Sequence, residues 1–225
     1  MRLIERAILI MDALEKEYPQ ATCSLESKNA LELLIATRLS AQCTDERVNK
    51  VTPKLFAKYK TFLDFATADF SDIEKLIYSC GFYKTKARNI IDMCQMLIEN
   101  YDSVVPDTIE ELIKLPGVGR KTANLVVGDI YGKPSIVVDT HCIRITNLLG
   151  LVSTKDPAKV ETALRALLPS EKSGIFCHRL VWHGRAVCVA RRPACARCCL
   201  AGWCDSALKA PMKHNKTLDK DCACL

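Results

Sequence analysis

The stretch Leu115-Pro116-Gly117-Val118-Gly119-Arg120-Lys121 decides the fold. Upstream of it Ile109, Leu112, Ile113 and Leu115 form an apolar helical face that stops at Pro116, a residue that cannot continue a helix. Gly117-Val118-Gly119 makes a turn too tight for bulky side chains, because glycine alone reaches left-handed backbone without a steric cost. A second helix then starts near Arg120 and carries Ala123, Val126 and Val127 on its buried face. The segment therefore reads as helix, tight turn, helix, with Lys121 in the first turn of the second helix. Eighteen residues beyond that lysine stands Asp139, in Val137-Val138-Asp139-Thr140-His141.

Helical spacing extends outward in both directions. Leu3, Ile4, Ala7, Ile8, Met11 and Leu14 share one face, as do Leu31, Leu34, Ile35 and Leu39. Ile73, Leu76 and Ile77 follow, then Ala87, Ile90, Ile91, Cys94, Leu97 and Ile98. Asp156-Pro157 places a cap and a proline before Val160, Leu164 and Leu167, and Pro169 closes that run. Only Ile136-Val137-Val138 reads as extended. The pattern predicts an all-α fold of roughly ten short helices. Gly132-Lys133-Pro134-Ser135 is the expected domain boundary, since it separates a helix rich in small residues from a new apolar run. His214 to Leu225 is polar and aperiodic and is expected to fray.

At 225 residues, 49% hydrophobic and 26% charged, the chain can bury a substantial core and does not read as disordered. The N-terminus mixes charge into its apolar positions, unlike a signal peptide, and no run approaches the ~20 apolar residues of a membrane span. These features predict a soluble cytoplasmic protein. A net charge of +6 suits a polyanionic partner but is common among proteins that bind none.

Glycines at the turn let a phosphate approach the main chain, and the free amides of a helix N-terminus can bond it. The segment is thus organised like a helix-hairpin-helix DNA-binding element, in which Gly117, Val118, Gly119 and Arg120 would contact the backbone without reading sequence. A nucleotide-binding phosphate loop needs glycine directly before the lysine, where Arg120 stands. An ordinary helix corner with a solvated lysine explains the glycines but not Asp139. Lys121 can act as a nucleophile only as the neutral amine, against an unperturbed pKa of ~10.4. Arg120, the positive helix end and an expected partial burial favour that form. Asp139 opposes it but can accept and return protons. Asp139-Thr140 before Ile143, Ile145, Leu148 and Leu149 is also a good N-cap, and the two roles are compatible. His141 is one of four histidines and is a candidate substrate contact beside its structural alternative.

Thirteen cysteines divide into nine scattered ones, read mostly as small buried apolar residues, and four in a pattern. Cys188, Cys195, Cys198 and Cys204 are spaced Cys-x6-Cys-x2-Cys-x5-Cys within seventeen residues. Four thiolates so close imply a metal centre. Zinc sites of four cysteines usually pair two Cys-x2-Cys knuckles, and this spacing has one. It resembles instead the 4Fe-4S loop of the endonuclease III family of DNA glycosylases, a match that excludes the adjacent Cys199.

The resemblance covers roughly residues 1 to 213. Its elements are Leu39-Ser40-Ala41-Gln42 with Thr44-Asp45, Gly81-Phe82-Tyr83 with Lys86-Ala87, the segment Leu115 to Asn124, Val138-Asp139-Thr140-His141, and the four cysteines. It implies a two-domain fold: a six-helix barrel at 23–133 containing the helix-hairpin-helix, an iron-sulfur cluster domain from 1–22 and 134–213, and a flexible tail at 214–225. It further implies a monomeric base-excision repair enzyme acting on damaged double-stranded DNA. That enzyme would be a bifunctional N-glycosylase and abasic-site lyase, removing oxidised pyrimidines through base flipping and a Schiff base on Lys121, with Asp139 assisting. Gln42 would fill the gap left by the flipped base and Phe82, where leucine is usual, would wedge the opposite strand. Cys43 stands where a small residue is common. Arg191 and Arg192 lie in the loop between the first two cluster cysteines and are expected to reach phosphates, a solvated loop being the alternative.

Several neighbouring readings differ at named positions. A relative removing adenine from mismatches carries a hydroxyl residue in place of this lysine and usually an added C-terminal domain, and a thymine-mismatch relative also differs at the lysine. A binding module without catalysis leaves Lys121 and Asp139 unexplained, and a zinc-bound structural protein explains only the cysteines.

Overall fold

The computed structural model describes residues 1–209, so the expected tail at 214–225, with Cys222 and Cys224, lies outside the described residues. The described chain forms twelve α-helices and four short 3-10 turns. Helices α2 (Ala30–Ser40), α3 (Asp45–Lys58), α4 (Phe62–Ala66), α5 (Phe70–Ile77), α6 (Tyr83–Tyr101), α7 (Ile109–Leu112) and α8 (Arg120–Asp129) pack on one another. Helices α9 (Thr140–Leu148), α10 (Pro157–Leu167) and α11 (Ser173–Ala186) gather with the N-terminal helix α1 (Leu3–Glu17), and α12 (Asp205–Lys209) lies beyond them.

Local chemistry sets the starts of these helices. Asn29, Thr44, Thr61, Asp69, Thr108, Asp139 and Asp156 each accept a hydrogen bond from an amide of the first turn that has no partner inside the helix. Tyr83 to Tyr101 buries Ala87, Ile90, Ile91, Met93, Cys94 and Leu97 on one side, the periodicity seen in the sequence. That helix forms the long support against which α2, α4 and α5 pack.

The Ile136-Val137-Val138 run makes no strand. Residues 132–139 carry no regular structure, and Ile136 and Val137 are buried as a connecting segment. A strand needs a neighbour to pair with, and among the described residues there is none. Instead Ile136 donates its N–H to Oδ1 of Asn124, a side chain buried in α8. That bond fixes the segment which delivers Asp139 to the start of α9.

The chain doubles back at its ends. Arg6 on α1 donates to Asp205 of α12 at 2.5 Å and to the Gly150 carbonyl at 2.7 Å. Gly150 has φ +69, and a Cβ there would fall 2.1 Å from the Asp205 carboxylate, so the close approach requires glycine.

Candidate active site

A cavity of about 260 Å³ opens between α2, α8 and α11. Lys121, Asp139 and Gln42 all line it, so the structure brings together three residues spaced across ninety-seven positions of sequence. Lys121 lies in the first turn of α8 and is exposed rather than partly buried. Asp139 caps α9, its Oδ1 accepting the Cys142 N–H at 2.7 Å, while the carboxylate still borders the cavity.

The turn before α8 treats its two glycines differently. Gly117 has φ +78, and a Cβ would meet the Arg38 side chain at 2.7 Å, where Arg38 Nε donates to Asn89 at 3.0 Å. Gly119 faces open space, with no heavy atom within 4 Å of where a Cβ would stand. The bare main chain there and the unpaired amides of the first turn of α8 suit an approaching phosphate. Val118 is buried, so its side chain anchors the turn and leaves only its main chain for contact.

Arg120 is half exposed, but its guanidinium is held by α10. Its guanidinium donates to both oxygens of Glu161 at 2.7 and 2.8 Å, and Arg165 donates to the same carboxylate at 3.0 Å. Burial by itself would raise the Glu161 pKa, but hydrogen bonds from Arg120 and then Arg165 outweigh it and hold the carboxyl below its usual value. This triad joins α8 to α10. His141 turns away from the cavity toward α11, where a Cβ on Gly184 would fall 2.3 Å from its Nδ1. Burial, partly opposed by Asp139, pushes its pKa down, which favours the neutral imidazole.

Gln42 and Phe82 share a rarer property. Both are exposed and both have left-handed backbone, φ +54 and +47. A phenylalanine held there with 65% of its surface exposed is costly in water, a pattern that belongs to functional positions. One buried side chain organises both corners: the Lys86 ammonium, 1% exposed, donates to the Leu39 carbonyl at 2.7 Å and to the Cys80 carbonyl at 2.9 Å. Burial pushes its pKa down.

The four patterned cysteines line a separate, largely apolar cavity of about 300 Å³. Among the described residues no three His, Cys, Asp or Glu side chains converge tightly enough to grip a single ion. Arg144 Nη1 donates to Cys188 Sγ at 3.4 Å and the Leu200 N–H to Cys198 Sγ at 3.4 Å, and burial outweighs the Leu200 bond to push the Cys198 thiol up. Arg191 and Arg192 are exposed in the adjoining loop.

Sequence motifs did not reveal the far wall of the first cavity. Arg185 of α11 reaches across it, donating to Asp45 at 2.7 Å and to Ser24 at 2.9 Å. His178 lies beside it, paired with Asp129 at 2.8 Å. These contacts join residues far apart in sequence, and no local spacing signals them.

A family model for HhH-GPD superfamily base excision DNA repair proteins matches residues 35–170. The endonuclease III of Synechocystis sp. is 48% identical over 204 residues, which is 90% of this chain and 93% of that protein. The chain belongs to the endonuclease III family. The Bacillus subtilis member is 43% identical over the same shares of the two chains. A solved structure of a trapped endonuclease III–DNA covalent intermediate is 44% identical, covers 93% of this chain and 99% of its own, and superposes with a TM-score of 0.88. Family membership and the all-helical fold agree with the expectation drawn from the sequence. Among the described residues no helix is long and apolar enough to cross a membrane.

Proposed function

We propose that this endonuclease III family member excises oxidised pyrimidines from double-stranded DNA and cleaves the resulting abasic site, with Lys121 as nucleophile and Asp139 as its proton acceptor. The observation that carries the assignment is that both side chains border one cavity whose rim holds Gln42. The damaged nucleotide leaves the stack and enters that cavity, since C1′ is out of reach inside a duplex. The Lys121 amine gives up a proton to Asp139 and bonds to C1′, and the bond from C1′ to the base breaks, the base leaving with its electron pair and a proton. The nitrogen lone pair then expels O4′, which takes up a proton as the C1′–O4′ bond breaks, and the opened sugar is left as a Schiff base; this acidifies C2′, and loss of a C2′ proton breaks the C3′–O bond and releases the 3′ phosphate by β-elimination.

The main chain at Gly117-Val118-Gly119 and the start of α8 holds the backbone. Arg120 serves that surface through Glu161, by fixing α8 to α10, rather than by touching a phosphate. His141 supports α9 against α11. Gln42 and Phe82 enter the duplex. The chain divides into a barrel at 23–133 and a second domain from 1–22 and 134–213, acts as a monomer, and works in the compartment that holds the DNA.

The 300 Å³ cavity and its four sulfur donors fit a 4Fe-4S cluster held by Cys188, Cys195, Cys198 and Cys204. A single zinc would require four sulfurs at ~2.3 Å from one point. Such a cluster would close the loop that presents Arg191 and Arg192, a role that requires no redox chemistry.

Borohydride added during reaction with abasic-site DNA traps a covalent complex with the wild type and none with Lys121→Ala. Equal yields from both proteins would remove Lys121 as the nucleophile.

A further inference from the structure

Three segments far apart in sequence meet at one imidazole beside the cavity of the four cysteines. His183 stands in α11 and is 1% exposed. Its Nδ1 lies 3.1 Å from the hydroxyl of Tyr18, the residue that caps the C-terminus of α1, and its Nε2 lies 3.5 Å from Cys198 Sγ. The His183 carbonyl also accepts the Cys188 N–H at 2.9 Å. One residue therefore holds the first and third of the patterned cysteines, one through its main chain and the other through its ring. Tyr18 is 9% exposed, so little water competes for either ring nitrogen.

The sulfur decides which atom donates. A cysteine that ligates iron is a thiolate and can only accept, so Nε2 must carry a proton and point it at Cys198. In the neutral ring Nδ1 is then an acceptor, and the Tyr18 O–H fills it. Both hydrogen bonds run the same way, from the phenol to the imidazole and from the imidazole to the sulfur.

We propose that His183, oriented by Tyr18, is a positioning residue that donates a hydrogen bond to Cys198 as a cluster ligand and thereby raises the reduction potential of the cluster. The role exists only if the proposed 4Fe-4S cluster is bound, and it is independent of the assignment of Lys121. Reduction adds negative charge that spreads onto the ligand sulfurs. A donor aimed at one of them stabilises the reduced form more than the oxidised form. Burial strengthens that bond, because the surrounding dielectric is low. Tyr18 acts through the ring: its O–H polarises the imidazole toward a stronger Nε2 donor, and without it Nδ1 is left as a buried acceptor with its partner gone.

Purified holoenzyme is assayed for iron, and the midpoint potential of its cluster is measured by film voltammetry. The proteins compared are wild type, His183→Gln, His183→Phe, Tyr18→Phe and the double variant Tyr18→Phe with His183→Phe. Glutamine places an amide N–H close to the position of Nε2 and should keep the wild-type potential. His183→Phe should make the potential more negative by a tenfold change or more in the equilibrium constant for one-electron reduction, about 59 mV. Tyr18→Phe should give a smaller shift of the same sign, and adding it to His183→Phe should shift the potential little further. A packing role would lower iron retention and leave the potential of the retained cluster unmoved, whichever ring stands at 183. An unmoved potential in iron-loaded His183→Phe, or the same shift in His183→Gln as in His183→Phe, would overturn the proposal. If His183→Phe retains no iron, Tyr18→Phe decides, since it removes one oxygen and leaves the imidazole in place; an unshifted potential there overturns the proposal. Zinc without iron in the wild type would instead remove the cluster itself, and this role with it.

Discussion

At Asp139 one carboxylate caps α9 through the Cys142 amide and also borders the cavity shared with Lys121. The two roles separate on replacement by asparagine, which caps a helix about as well as aspartate but cannot accept the amine proton. Asp139→Asn should therefore keep the thermal midpoint and lose turnover by ~10²–10⁴-fold, the range for a general base; full turnover with a lowered midpoint would reduce the residue to a cap. Phe82 gives the opposite kind of prediction. Left-handed backbone costs an ordinary residue ~1–2 kcal/mol, and glycine removes that cost while adding ~0.5–1 kcal/mol of unfolded-chain entropy. With 65% of the ring exposed, little packing is lost. Phe82→Gly should leave stability unchanged or slightly higher while duplex affinity drops about tenfold or more, since stacking against a base contributes ~1–3 kcal/mol. A destabilised variant with unchanged binding would show the ring to be structural.

Between elements, the junction of α8 with α10 depends on Glu161, buried at 4% exposure under two arginines. Its folded pKa lies below the ordinary carboxylate value of ~4.3, so its stabilisation is complete above that value and disappears as pH falls through the folded one. The difference in thermal midpoint between wild type and Glu161→Gln should be constant near neutrality and shrink on acidification below about pH 4; a gap independent of pH would mean that shape rather than charge joins the helices. Arg120→Ala should cost about 1–2 kcal/mol, below the ~3–5 of a fully buried pair, because Arg165 keeps its bond and Arg120 is half exposed. Nothing local in Gly-Arg-Lys reveals this partnership, since Arg120 and Glu161 are forty-one residues apart. The long helices and the turn at Gly117 were legible because periodicity and glycine act over a few residues. Five-residue helices such as Phe62–Ala66 and Asp205–Lys209 are shorter than the window in which a helical period can be recognised, which is why twelve helices stand where roughly ten were expected.

On the scale of the whole molecule, the proposed DNA surface has two parts: the Gly117–Lys121 turn with its cavity, and the loop that carries Arg191 and Arg192 between Cys188 and Cys195. A net charge of +6 is modest, so strong binding must come from where the cations stand rather than how many there are. Each phosphate neutralised by a side chain adds about 0.9 to the slope of log affinity against log salt. The main-chain contacts proposed at Gly117 and Gly119 add little to that slope, whereas Arg191 and Arg192 would contribute as much as ~1.8 between them. Arg191→Ala combined with Arg192→Ala should flatten the measured salt dependence by one to two units while borohydride trapping at Lys121 persists at low salt, and an unchanged slope would place the loop outside the interface. Removing the iron of the proposed cluster should flatten the slope similarly, because Cys188 and Cys195 would then no longer close the loop that holds both arginines. Applied to the double variant, it should then flatten the slope little further, since the charges that the loop presents are already gone.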